Sequence, residues 1–357
     1  MKMHRLRPAL AIGLVLALGS CSLGPKDWDV PERYPAAEVP AAMERAREEL
    51  ATPDSTQGAV KRMAVVVETR GLEPSLRLEA QRLFERSVEQ RIAELVAEGG
   101  QPTKLRDLSE LEVARRIAVS AGMASAYAWR EKGERVKCFR QIRSLDERFP
   151  LHSMRQQAGQ LLAEVGLDLA EDRSRYALFF RYSALAPQVL EYLITEYPSD
   201  PSGPLAIETL AGLYERSGEL ELALLRHEDL LLYFPGDERV PSSQAAIPRL
   251  RLAQLKSPEY DRKQMIRARL EIEDWLSDYP NHPLQPDVRL LLADCLGRLA
   301  DNDLVVARFY RRVGNAYGAE YHARRALDTA REAGDEGQIN EATEALEDAV
   351  EMASEEA

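Results

Sequence analysis

The sequence predicts an all-α chain in which helical hairpins stack as a solenoid, behind an export signal and a proline-rich tether. Three observations predict it. Ala, Leu, Glu and Arg, all strong helix formers, dominate the composition, and aromatic residues make up only 6%. Alternating Val/Ile/Thr segments are nearly absent. Four times an aromatic-proline pair closes a segment of helical periodicity.

The N-terminus comes first. Lys2, Arg5 and Arg7 form a positive region, and Ala9 to Leu18 is an uninterrupted apolar run. Ten apolar residues are too few to span a hydrocarbon core, which needs about 20, but they fit the central region of an export signal. The run ends in Leu18-Gly19-Ser20-Cys21. An apolar residue, two small residues and a cysteine resemble a bacterial lipobox. That resemblance implies acylation of the Cys21 thiol and cleavage just before it, leaving residues 1–21 as signal and lipobox. One acyl chain binds a membrane only marginally, whereas several hold a protein there permanently. Ser22, rather than Asp, after the cysteine points to the outer membrane, with the body facing the periplasm.

Residues 22–54 read as a tether. Pro25, Pro31, Pro35, Pro40 and Pro53 interrupt the stretch, although 41–50 has the composition of a short helix. Residues 55–130 form a divergent helical region. Val60, Met63, Ala64 and Val67 have helical spacing, and Leu76 to Val96 is a second helical pattern. Met63 to Val67 also reads as a strand opening a small α/β domain, so both readings stand.

The repeats occupy 131–333. The pairs are Phe149-Pro150, Tyr197-Pro198, Phe234-Pro235 and Tyr279-Pro280. Five residues before each proline stand Leu145, Leu193, Leu230 and Trp275; eight before, Ile142, Leu190, His227 and Ile272; twelve before, Cys138, Ala186, Ala223 and Ala268. With the aromatic these offsets trace one stripe of an α-helix. The small residue allows a close helix crossing, and the proline forces its predecessor out of the α region. In the third unit Leu210, Ala211, Tyr214, Gly218, Ala223, Leu230 and Pro235 resemble the tetratricopeptide-repeat (TPR) pattern of two helices joined at a glycine. The prolines lie 48, 37 and 45 residues apart, against about 34 in a plain TPR. The surplus is expected in loops between hairpins, at Ser199–Gly203 and Gly236–Ser243. Residues 304–330 give a further helix pair. Residues 334–357 hold an amphipathic helix, with Ile339, Ala342, Leu346, Ala349 and Val350 on one side and nine acids with no base from Asp335 onward; this is expected to cap the stack.

Charge narrows the partners. The net charge is −12, and without the first twenty residues it is three charges more negative. Such a surface repels phosphate, so nucleic acid is not an expected partner. No H-E-x-x-H, G-x-S-x-G, P-loop or G-x-G-x-x-G occurs. No catalytic residue, metal ligand, cofactor or small-molecule substrate is therefore assigned. His227 is expected as a packed core residue, His152 and His282 in loop roles, and Cys138 and Cys295 as buried free thiols. Arg308, Arg311, Arg312, Arg324 and Arg325 form a basic cluster, read either as a solvated face or as a docking patch for an acidic partner.

Lipobox, tether and TPR-like hairpins together resemble the BamD family of outer-membrane lipoproteins over roughly residues 130–330. The segment Ala307 to Gly314, with its Phe309-Tyr310 pair, a basic residue and Gly, looks like that family's late helix, and Tyr317 and Ala319 continue the likeness. Ala323 stands where the family carries Arg, with Arg324 one position later, and the last aromatic-proline is missing. The resemblance implies a non-catalytic scaffold in β-barrel outer-membrane protein assembly. The resemblance also implies binding of a barrel insertase through the C-terminal half, which makes Arg308, Arg311, Arg312, Tyr317 and Arg324 the candidate partner-binding residues. The alternative is a TPR lipoprotein that organises other cell-envelope or division proteins.

Overall fold

The computed structural model describes residues 29–355 except 53, 173, 178, 179, 256 and 258–260. The lipobox and Cys21 lie outside the described residues. The chain forms two compact units, Met1–Arg91 and Ile92–Ala357.

In the first unit, α1 (Val39–Ala51) packs on α2 (Thr56–Val67). Val39, Met43 and Ala46 of α1 and Ala59, Met63 and Val66 of α2 are buried. Met63 to Val67 is thus helix, not strand. α3 (Pro74–Ala97) contributes buried Ala80, Phe84 and Val88 to this unit, and Gln90 donates to the Leu50 carbonyl at 2.8 Å. The expected tether is folded over much of its length. Arg62, itself buried, pairs with Glu49 at 2.7 Å and donates to the Tyr34 hydroxyl and the Asp29 carbonyl. Pro40 lies in the first turn of α1, where a missing N–H is harmless and the fixed φ favours a helix.

The second unit is an all-α solenoid of TPR-like hairpins. α4 (Pro102–Ser109) precedes five pairs: α5 (Arg115–Glu131) with α6 (Arg135–Arg148), α7 (Arg155–Glu171) with α8 (Ala186–Glu196), α9 (Gly203–Ser217) with α10 (Leu220–Tyr233), α11 (Val240–Gln254) with α12 (Arg262–Asp278), and α13 (Gln285–Arg312) with α14 (Ala316–Ala333). α15 (Glu336–Glu355) closes the stack. Each helix from α4 to α14 packs on its successor, and the first helices α5–α7, α7–α9 and α11–α13 also meet. The first pair begins with α5, inside the stretch read as the divergent region.

All twelve stripe positions are buried, from Cys138, Ile142 and Leu145 to Ala268, Ile272 and Trp275. The four aromatics end their helices alike. Phe149, Tyr197, Phe234 and Tyr279 have φ/ψ of −129/67, −125/53, −133/55 and −124/58. Each donates its N–H to the carbonyl four residues back, at 2.8–2.9 Å. All four have left the α region, which a following proline disfavours. Gly218, between α9 and α10, has φ +82, which a residue with a β-carbon adopts only at a cost.

The surplus residues are not where the spacing placed them. The inter-hairpin connections 197–202 and 234–239 are six residues each. The surplus lies inside the hairpins, at 172–185 between α7 and α8 and at 255–261 between α11 and α12. The first of these carries the antiparallel pair β1 (Arg175–Ala177) and β2 (Phe180–Arg181). Residues 304–330 do fall in a further helix pair, α13 with α14, but its first helix begins well before 304, since α13 is 28 residues long.

Candidate docking surface

The histidines show where buried chemistry is used for packing. His227 of α10 places Nδ1 3.0 Å from Ser243 Oγ and Nε2 3.1 Å from Glu215 Oε1, and Arg249 donates to Glu215 at 2.8 Å. The trio has the outline of a nucleophile, base and orienting acid. Ser243 is buried, however, so its hydroxyl meets the His227 ring and not a substrate. Burial holds the His227 pKa below its ordinary value against the pull of Glu215. Sequence reasoning placed His227 in the core but had no signal for its partners, which come from α9 and α11.

His152 and His282 do serve loops, accepting through Nδ1 from the N–H of Met154 and Leu284, each at 3.2 Å. Cys138 and Cys295 are free and buried. Burial pushes their thiols up to about 12 and about 11, so both are poor nucleophiles. Among the described residues, no group of three or more His, Cys, Asp or Glu could hold a metal ion.

The candidate partner-binding residues gather where α13 meets α14 and α15. Buried Asp303 of α13 is the anchor. It pairs with Arg262 of α12 and with His322 Nδ1 of α14, both at 2.8 Å. The His322 ring stacks on Tyr310 with centroids 5.7 Å apart, and Tyr321 meets His322 edge-on at 5.1 Å. α14 approaches closely here, since a β-carbon on Gly318 would stand 2.7 Å from Tyr310 Cγ. Asn315 caps α14 by accepting from the Gly318 N–H at 2.8 Å. This rigid aromatic platform carries exposed Phe309, Val313, Tyr317 and Tyr321, with Tyr317 82% exposed.

The arginines divide. Arg308 pairs with Glu341 and Arg311 with Asp348, so two of the basic candidates already meet acids of α15. Arg324 pairs with Glu320 one turn back at 2.6 Å. Arg325 lies over the Tyr321 ring at 5.4 Å. Arg312 is exposed at the end of α13 and makes no ion pair with a described residue. Of the candidates, Tyr317 and Arg312 therefore face solvent most freely. Phe309, Val313 and Tyr321 join them, although only Phe309 was singled out by the sequence pattern. An exposed apolar cluster rimmed by charge, on a rigid support, has the composition of a protein-binding hot spot.

No protein-family model matches the chain, and no curated protein does. Among solved structures the chain is similar to the TPR domain of P58(IPK), with 12% identity over 89% of this chain and 80% of that one and a TM-score of 0.25. It is similar to a tetratricopeptide repeat protein from Parabacteroides merdae, with 14% identity over 88% and 99% and a TM-score of 0.23. It is also similar to human IFIT1 in a dimer with PPP-AAAA, with 15% identity over 91% and 96% and a TM-score of 0.26. At TM-scores this low these likenesses carry no weight for the site, whose geometry stands on the chain's own residues.

Proposed function

We propose that this chain is a non-catalytic scaffold that docks other proteins at the α13–α14 end of its solenoid. The exposed cluster of Phe309, Val313, Tyr317 and Tyr321 carries the reading. Tyr321, set edge-on against the His322 ring that buried Asp303 holds, loses little freedom on binding, which favours its use as a contact residue. In its finer form the scaffold is BamD-like: an outer-membrane lipoprotein, acylated at Cys21, that binds a barrel insertase during β-barrel assembly. The lipobox sequence and the late-helix resemblance support that form. Among the described residues no helix is long and apolar enough to cross a membrane; in this reading the attachment is the acylated Cys21.

The test pairs labelling with co-purification. Wild-type chain is expected to incorporate radiolabelled palmitate and to co-purify with a barrel insertase. Cys21→Ser is expected to lose the label. Palmitate incorporation by Cys21→Ser refutes the anchor. Co-purification with division or other envelope proteins in place of the insertase selects the alternative reading, a TPR lipoprotein of a different assembly.

A further inference from the structure

Away from the α13–α14 patch, two grooves flank α8. One, of 630 Å³, lies between α6 and α8 and has Phe139, Tyr192 and Leu151 on its walls. The other, of 550 Å³, lies between α8 and α10 with Ile194, Leu225 and Tyr233. Exposed Thr195 of α8 lines both, so the two grooves adjoin across that helix.

Two features set this surface apart from an ordinary gap between helices. Leu151 follows the helix-ending Pro150 with φ +55 and is 80% exposed. The corresponding residues after the other three prolines are Ser199, Gly236 and Asn281, and none of them has a left-handed φ. A left-handed conformation is unfavourable for a residue with a β-carbon, and Leu151, left exposed, does not offset that cost by burial. The second feature is α10. Only Ala223, His227 and Leu230 of this helix are buried, while Leu222, Leu225, Leu232 and Tyr233 face solvent. Their spacing makes an apolar stripe on the outward side of the helix, and Leu225 and Tyr233 carry it into the second groove.

The charge around the grooves is one-sided. Asp146, Glu147, Glu191, Glu196 and Asp229 line them, against Arg143, Arg155 and Arg226. Each arginine is already turned to an acid: Arg143 to Glu147 at 2.9 Å, Arg155 to Asp146 at 3.5 Å, and Arg226 to Asp229 at 3.1 Å and Glu191 at 3.3 Å. Asp146 is buried and held by Tyr192, Tyr197 and Arg155, and the other four carboxylates against Arg143 and Arg226 leave the surface net negative.

We propose that the paired grooves bind an extended segment of a partner protein that carries apolar side chains three residues apart among basic ones. One helix, about 10 Å across with its side chains, separates the grooves. An extended chain in the polyproline II form rises about 3.1 Å per residue and turns once every three residues, so side chains three apart lie about 9 Å from each other on one face and enter the two grooves in turn. The basic residues between them meet the unbalanced carboxylates. Leu151 and the α10 stripe extend the apolar contact at either end. The inference holds whether or not the α13–α14 patch docks a partner.

The probe is a fluorescent synthetic peptide, Lys-Phe-Lys-Lys-Leu-Lys, titrated with the full chain and followed by anisotropy. Two controls replace its lysines with glutamates or its Phe and Leu with serines. Saturable binding by the first peptide is expected, with both controls at least about tenfold weaker. Thr195→Arg and Leu225→Arg, at exposed positions, are expected to weaken binding about tenfold without moving the melting temperature. Leu151→Gly relieves the backbone and is expected to raise the melting temperature while weakening binding severalfold. Tyr317→Ala is expected to leave the affinity unchanged. Equal binding of the glutamate peptide, no binding of the lysine peptide, or wild-type affinity in all three groove variants overturns the proposal.

Discussion

Gly166 of α7 lies so close to Leu190 of α8 that a β-carbon at 166 would stand 2.5 Å from Leu190 Cδ2 and 3.0 Å from Cγ. The first hairpin repeats the relation, with Gly122 of α5 against Leu145 of α6 at 2.6 Å. Within each of these hairpins a glycine on the first helix receives a stripe leucine from the second. Gly166→Ala gains up to about 1 kcal/mol of helix propensity but overpacks the crossing, at about 1–3 kcal/mol. Net destabilisation is expected in urea unfolding, and Leu190→Val in the same chain is expected to restore part of the loss. A stabilised Gly166→Ala chain contradicts the crossing.

Ala223 tests the register of the repeats. It is fully buried on α10, at the small-residue position twelve before Pro235. Ala223→Glu places a carboxylate in that crossing and is expected to destabilise by several kcal/mol, seen as a lowered melting temperature. Ala223→Ser, which adds one hydroxyl oxygen, is expected to do far less.

The stripe was legible because helical periodicity and the proline share one frame: once the proline fixes the end of the helix, the offsets to Leu193, Leu190 and Ala186 follow. The surplus residues were not. Counting from proline to proline measures only the sum of two helices and two connections, so it could not assign residues 172–185 to the inside of a hairpin. Pro40 misled for a different reason, since a proline that interrupts a helix and one that opens it look alike in a short window. At the candidate site the Arg308–Arg312 cluster and the acids after Asp335 were both visible. Their pairing was not, because 33 and 37 residues separate the partners and only the α13–α14–α15 packing brings them together.

That pairing makes its own prediction. Arg308 and Arg311 meet Glu341 and Asp348 on exposed helix faces, and exposed ion pairs contribute only about 0–1 kcal/mol each. Glu341→Gln with Asp348→Asn is therefore expected to lower the melting temperature slightly, with the difference shrinking at high salt. A large, salt-independent loss would show that the acids hold α15 by some other interaction.

The buried histidine sets a pH dependence. The His227 pKa is lowered, with burial the main cause and Glu215 opposing it, and burial also lowers that of His152. As pH falls through the ordinary histidine value of about 6.5, the unfolded chain takes up protons that the folded chain refuses. Stability is therefore complete above that value, declines below it and levels off under the folded pKa. Burial pushes Glu215 upward, but Arg249 and His227 outweigh it and lower its pKa, which adds a second loss below the ordinary glutamate value of about 4.3. Urea midpoints are expected to be lower near pH 5.5 than near pH 7.5, and His227→Gln is expected to shrink that difference. An unchanged difference would show that His227 does not couple to folding.

The docking reading meets its most direct test in cells, with a photoreactive phenylalanine analogue in place of Tyr317 and, separately, in place of Leu290. Leu290 is also exposed but lies near the start of α13, about 30 Å along the helix from its C-terminal end. Irradiation is expected to give a discrete adduct with a barrel insertase from position 317 and none from position 290. The same products from both positions, or none from either, would contradict a docking surface at the α13–α14 end.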